Sequence, residues 1–355
     1  MTSTDTATAA PPTPRDPTPR PNPDPTPAPN PDPTPRPNPD PTPSPNPDPT
    51  PSPNPDPTPN PNPDPVLARR PIELGFALVD ERELAALALH ERLTREDCLA
   101  ALGEARACVA LPDDAALTHF FLGSEFCEHL LPSVESIDRA VALCERWGLT
   151  FGLVTPTACD GLFDPLRAAL ARLPAGAEVT VNDWGVARLV QREFPDLRPV
   201  AGRLLGKMLK DPRLPSATWA RMYPNGLRAG PFREILDGLG IGRLELDFPP
   251  FGAADMYAGI DFPVGVRAPY GYIAKGRLCK LGSLSLDTPE KFSVGHQCRR
   301  ECLGFSEVGA RPGTHELHTS QRGNTMYYRH AAGMAAALAD AVANGWVNRI
   351  VLSGA

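Results

Sequence analysis

Residues 66–355 read as an α/β domain of the (β/α) TIM-barrel type, on three observations. Short apolar runs alternate with amphipathic stretches of helical period, the signature of βαβ units and a parallel sheet. Seven or eight such units share one domain, which favours a closed or partly closed barrel over an open sheet. The residues of chemical interest fall just past the apolar runs, at the strand ends where barrel enzymes build their sites.

The elements follow in order. Apolar patterning starts at Ile72, after a low-complexity tail. Leu117–Gly123 is a strand ending in glycine, and Val134–Trp147 has helical period. Leu149–Thr155 is a buried strand, Leu162–Leu173 a helix and Glu178–Asn182 a strand. Val186–Phe194 reads as a helix, Arg198–Ala201 as a short strand, Phe232–Leu239 as a helix and Arg243–Phe248 as a strand. After strand Phe262–Arg267 the period is lost until Asn324–Tyr328. Helix Ala332–Val342 and strand Val347–Leu352 complete the pattern.

Residues 1–65 are different in kind. They hold 28 of the 46 prolines and a net charge of −5, which leaves the rest of the chain near −2 out of −7. Residues 21–60 are five copies of Pro-Asn-Pro-Asp-Pro-Thr-Pro-X, with Ala28, Arg36, Ser44, Ser52 and Asn60 at X. Proline at every second position removes the amide donors that helix and sheet need. The tail is expected to be a disordered, solvated polyproline-II rod, either a spacer or a ligand for an aromatic groove. The remaining 290 residues can bury a large core and suit one barrel-sized domain or two small ones.

Composition excludes several classes. A body near −2 is not a basic nucleic-acid-binding domain. No apolar run reaches 18 residues, so no membrane span is expected. The N-terminus lacks a basic region followed by an apolar one, so no secretory signal is expected and the cytoplasm is the default compartment. In that setting the eight cysteines are reduced thiols or metal ligands.

Cys279, Cys298 and Cys302 stand together in a polar stretch without strand or helix period. Core packing, the usual fate of a free cysteine, does not explain three thiols in a polar loop. With a fourth thiolate they suit tetrahedral zinc or an iron–sulfur cluster, and the C-x₃-C spacing of Cys298 and Cys302 fits a cluster somewhat better. Cys127, just past a strand end, is the best fourth ligand and Cys159 its rival. Cys98, Cys108 and Cys144 sit in helical patterns and read as packing residues.

Phe120-Phe-Leu-Gly-Ser-Glu-Phe-Cys127, Glu178-Val-Thr-Val-Asn-Asp-Trp-Gly-Val186, Pro199-Val-Ala-Gly202 and Tyr270-Gly-Tyr-Ile-Ala to Cys279 follow one another in an order that resembles the peptidase U-thirty-two (collagenase-like) superfamily, in its UbiV type. Phe120-Phe-Leu-Gly-Ser-Glu-Phe-Cys127 is similar to the family's YLGEAVC element, and Glu178-Val-Thr-Val-Asn-Asp-Trp-Gly-Val186 to its strand followed by Asn/Ser-Asp-Leu-Gly-Val. Pro199-Val-Ala-Gly202 resembles PFVAGH, and Tyr270-Gly-Tyr-Ile-Ala to Cys279 resembles the approach to a second cluster ligand. Gly323-Asn-Thr-Met-Tyr-Tyr and Val347-Asn-Arg-Ile-Val have counterparts too; the resemblance covers roughly residues 115–355.

The resemblance implies a [4Fe-4S] cluster on Cys127, Cys279, Cys298 and Cys302, with zinc as the alternative. It also implies oxygen-independent hydroxylation in ubiquinone biosynthesis with a UbiU-like heterodimer partner, a quinone precursor as substrate and prephenate as oxygen donor. Two features depart from the type. The loop from Cys279 to Cys298 is longer, and Arg203 stands where the family has histidine.

Other readings are weaker. An RNA-base hydroxylase of the same superfamily needs the Lys/Arg clustering that a near-neutral body lacks. A non-catalytic zinc or structural protein is a third reading. A peptidase comes last, because no nucleophile motif has its context. Asp183 and Asp247, at strand ends, and His296, two residues before Cys298, are candidate acid–base or cluster-tuning groups; a helix N-cap explains Asp183 equally well. Arg299, Arg300, Lys207, Lys210 and Arg213 are candidates for an anionic donor, with solvated surface as the default. The glycines of Gly238-Leu-Gly-Ile-Gly242 precede a strand and so read as turns, not a dinucleotide loop.

Overall fold

The structure, a computed structural model, describes residues 71–214, 216–218, 226–276, 278–291, 298–309 and 317–354. The proline-rich repeat and His296 lie outside the described residues. Contacts divide the chain into units of residues 1–62 and 63–355, and the second is the unit described below.

Eight parallel strands close into a barrel. They are β1 (Glu73–Leu78), β2 (Ala116–Gly123), β3 (Thr150–Val154), β4 (Glu178–Val181), β5 (Arg198–Ala201), β6 (Leu244–Asp247), β7 (Val264–Ala268) and β12 (Arg349–Ser353). Strand β12 closes the ring by pairing with both β7 and β1. Six described helices of seven residues or more lie between the strands: α2 (Arg95–Ala101), α3 (Val134–Trp147), α4 (Phe163–Leu170), α5 (Trp184–Glu193), α6 (Gly230–Gly238) and α7 (Ala332–Ala343). A short α1 (Leu84–Leu87) follows β1. No described helix is long and apolar enough to cross a membrane.

Local chemistry sets the helix limits. Ser133 caps α3 by accepting from the Ser136 amide, and Gly148 ends it in the left-handed region at φ 71°. The face between these caps buries Ile137, Ala140, Leu143, Cys144 and Trp147 against the barrel. Thr94 and Asp97 form a reciprocal capping box at the start of α2.

The interior of the barrel is layered. At the N-terminal end Arg349 binds Glu178 twice, at 2.5 and 2.9 Å, and also reaches Glu73 at 2.7 Å and His119 at 2.8 Å. Above this plug, Phe121 packs with Ala77, Val154 and Val351. The Phe121 ring fills the axis because its neighbours are glycines: a Cβ at Gly75 or Gly152 would stand 2.7 or 2.4 Å from it. The third layer, at the C-terminal ends of the strands, is charged.

Between β7 and α7 the chain inserts a second sheet of four antiparallel strands, ordered β8 (Tyr270–Lys275), β11 (Thr325–Arg329), β10 (Thr319–Arg322) and β9 (Glu307–Gly309). The predicted strand Asn324–Tyr328 therefore exists, but as β11 of this insert and not as a barrel strand. Strands β8, β9 and β10 are absent from the sequence reading. They are short, they carry Lys275, Glu307, Gln321 and Arg322, and only the tertiary pairing shows them to be strands.

Candidate functional site

The insert lies over the C-terminal end of the barrel, and together they enclose one cavity. Cys127, Cys279, Cys298 and Cys302 all line it, with Arg203, Arg267, Arg322 and Tyr327. Its volume is about 40 Å³. Four segments separated by up to 175 positions thus bring their thiols to one place.

Each thiol is positioned by its element. Cys127 sits four residues past the end of β2, beyond Gly123, whose φ of 124° turns the chain and whose absent Cβ would stand 2.2 Å from the Val154 carbonyl oxygen. Cys279 starts a series of turns and its Sγ accepts from the Gly282 amide at 3.1 Å. The Cys298 Sγ accepts from the Arg300 amide at 3.3 Å. Arg300 adopts φ 58°, the left-handed region, so the chain folds back and carries Cys302 into the cavity wall. The Arg322 guanidinium pins that turn by donating to the Cys302 carbonyl oxygen at 2.8 Å.

Cys127 and Cys302 are buried, while Cys279 and Cys298 are half-buried. Burial pushes the Cys127 thiol up to about 12 and the Cys302 thiol up to about 11, and the neighbouring sulfurs add to both. Glu301 adds a buried Oε2 with no hydrogen-bond partner among the described residues. Among those residues, no group of three or more His, Cys, Asp or Glu side chains closes around a point as a single metal ion requires. The thiols border a cavity instead.

Of the three cysteines read as packing residues, Cys98 and Cys144 are buried in the main core, whereas Cys108 is half-buried and lies outside it. Cys159 is exposed and does not line the cavity, so Cys127 is the cysteine placed with the other three.

A buried ion network forms the floor. Arg203, 3% exposed, donates from Nε to Glu125 Oε1 at 3.0 Å and from Nη1 to Asp247 Oδ1 at 2.7 Å, and its Nη2 binds Glu125 Oε2. Lys210 Nζ donates to Asp247 Oδ2 at 2.7 Å and stands 3.1 Å from the Tyr272 ring centroid. Arg267 pairs with Glu245 at 2.8 Å. Phe126 and Tyr272 flank the Arg203 guanidinium at 5.4 and 5.7 Å, cation–π distances. Burial raises the Asp247 carboxyl, but Lys210 and Arg203 outweigh it and hold the group below its usual value. Glu125 is likewise held down, by Arg203 and Arg267 against burial. Burial brings Lys210 down to about 8 in spite of Asp247.

These positions revise several expectations. Asp183 accepts from the Gly185 amide at 2.7 Å as the N-cap of α5 and does not line the cavity. Asp247 is an ionised anchor of the network, a poor general acid because two cations favour its charged form. Lys210 is buried and paired, not solvated surface. Arg213 is a surface pair with Asp211. Sequence reasoning missed Glu125, Arg267 and Tyr272. The available signal was charge inside an apolar strand or at its end, as in Val264-Gly-Val-Arg267 and Gly123-Ser-Glu125.

Compared with protein-family models and with curated protein sequences, the chain matches none.

Proposed function

We propose that this chain is a UbiV-like [4Fe-4S] protein that acts in oxygen-independent hydroxylation during ubiquinone biosynthesis, as a cytoplasmic subunit with a UbiU-like partner. The observation that carries the reading is the convergence of Cys127, Cys279, Cys298 and Cys302 on one cavity at the C-terminal end of the barrel. The C-x₃-C spacing of Cys298 and Cys302 suits a polynuclear group somewhat better than zinc. All eight cysteines are free, as a reducing compartment requires.

When bound, a [4Fe-4S] cluster supplies one-electron transfer. The four cysteines would hold it. The Gly282 and Arg300 amides donate to sulfur, which stabilises negative charge there and raises the potential of such a group. The Phe126 ring packs against those of Tyr272 and Tyr327 beside the charged floor.

One further feature supports the subunit role. The cations Arg203, Lys210 and Arg267 are already matched by Glu125, Asp247 and Glu245, so the floor offers no spare charge to a dianionic donor such as prephenate. That balance supports a quinone precursor and oxygen donor held on the partner's side.

Anaerobic purification with an absorbance spectrum and iron and sulfide assays tests the reading. A brown protein with equal iron and sulfide is expected, and a colourless one with a single zinc overturns it. Cys298→Ala should abolish the absorbance, whereas Cys144→Ala, in the core, should keep it. In a strain lacking the protein, unchanged anaerobic quinone with a missing modified nucleoside would transfer the activity to RNA.

A further inference from the structure

The loop that carries Cys298 and Cys302 is tied to the barrel by a side chain that is neither a thiol nor part of the charged floor. Glu81 follows β1, and its carboxylate is largely shielded, with 17% of the side chain exposed. Oε2 accepts from the Ser133 amide at 2.8 Å and from the Ser133 hydroxyl at 2.9 Å. Oε1 accepts from Arg300 Nη1 at 2.9 Å. One carboxylate therefore joins the end of β1, the N-terminus of α3 and the cysteine loop.

The contact to Arg300 has a specific geometric task. Arg300 is the only described non-glycine residue with positive φ. A left-handed arginine is strained, and such a conformation persists only where surrounding contacts hold it. It is also the residue whose amide donates to the Cys298 sulfur and whose carbonyl accepts from Leu303, which closes the turn around Cys302. Relaxing Arg300 to negative φ would withdraw the amide from Cys298 and swing the two thiols apart. The neighbouring Glu128–Leu130 turn and α3 follow directly on Cys127, so the same carboxylate also references the loop to the third ligand.

We infer that Glu81 is a positioning residue that clamps the Cys298–Cys302 loop in its ligating conformation through Arg300. The inference rests on the cluster reading for its purpose but not for its geometry. Surface ion pairs are usually weak, but this one adds to two hydrogen bonds on a shielded carboxylate and acts on a strained turn.

The test uses the full-length chain purified anaerobically, as Glu81→Gln, Arg300→Gln, the double variant and Ser133→Ala. N-ethylmaleimide labelling of each cysteine is followed by peptide mass spectrometry, with exposed Cys159 as the internal reference. Glu81→Gln and Arg300→Gln should each speed Cys298 labelling about three- to tenfold, the equivalent of roughly 0.6–1.4 kcal/mol at about 1.4 kcal/mol per tenfold. The double variant should label no faster than either single one, because both remove the same contact. Ser133→Ala should lower thermal stability through α3 and leave Cys298 unchanged. Where iron is present, its extraction by a chelator should quicken in the same order. An unchanged Cys298 rate in Glu81→Gln, or additive single effects, overturns the clamp. A wild-type chain without iron and sulfide overturns the cluster instead, and the labelling ratio still decides the clamp.

Discussion

Arg203 holds Glu125 and Asp247 together in a space where all three are almost wholly buried. Removing one partner from such a network strands the others, and Arg203→Met should cost about 3–5 kcal/mol in urea denaturation. Arg213→Met, at the exposed pair with Asp211, should leave the midpoint almost unmoved. Lys210 gives the same cluster a pH signature. Its folded value near 8 lies below the unfolded value, so between about 8 and 10.4 the unfolded chain binds more protons and this group's contribution rises with pH. That contribution is complete above the unfolded value and is lost as pH falls through the folded one. Lys210→Met should remove the slope from stability measured between pH 8 and 10. Identical slopes would show that Lys210 titrates normally.

Gly123 joins element to site, because β2 must turn there for Ser124–Cys127 to reach the cavity. With φ at 124° and the Val154 oxygen 2.2 Å from any Cβ, Gly123→Ala should cost about 2–3 kcal/mol and reduce iron per chain by displacing Cys127. A variant with full stability and full iron would mean that β2 ends differently. The elements also show what patterning can reveal. Val134–Trp147 and Arg198–Ala201 match the sequence reading to the residue, because a capped amphipathic helix and a short apolar run between polar ends are local signals. The four strands of the insert are not local in this sense. Three of them escape notice because their partners lie up to 59 residues away and neither face is uniformly apolar.

At the scale of the whole molecule, the barrel separates its two charged layers. The Arg349 plug closes the N-terminal end and the Arg203 network floors the cavity at the other, with Phe121 and its apolar neighbours between. In barrels of this kind the N-terminal end serves stability and the C-terminal end serves chemistry. Arg349→Met, which leaves Glu178 without its bidentate partner, should cost about 3–5 kcal/mol in chemical denaturation. Iron per folded chain should not change. Loss of iron at full folding would show that the two layers communicate through the strands.

The sequence by itself determined the barrel, the presence of five of its helices and the three cysteines that stand apart from packing. Hydrophobic period, capping residues and cysteine spacing are properties of neighbours along the chain. Tertiary structure decided that Cys127 and not Cys159 joins the other thiols, that Asp183 is a cap, and that Lys210 is buried beneath Tyr272. It also joined Glu81 to Arg300 across 219 positions. Burial and pairing depend on which distant strand ends meet at the mouth of the closed barrel, and closure is a property of the whole ring of strands.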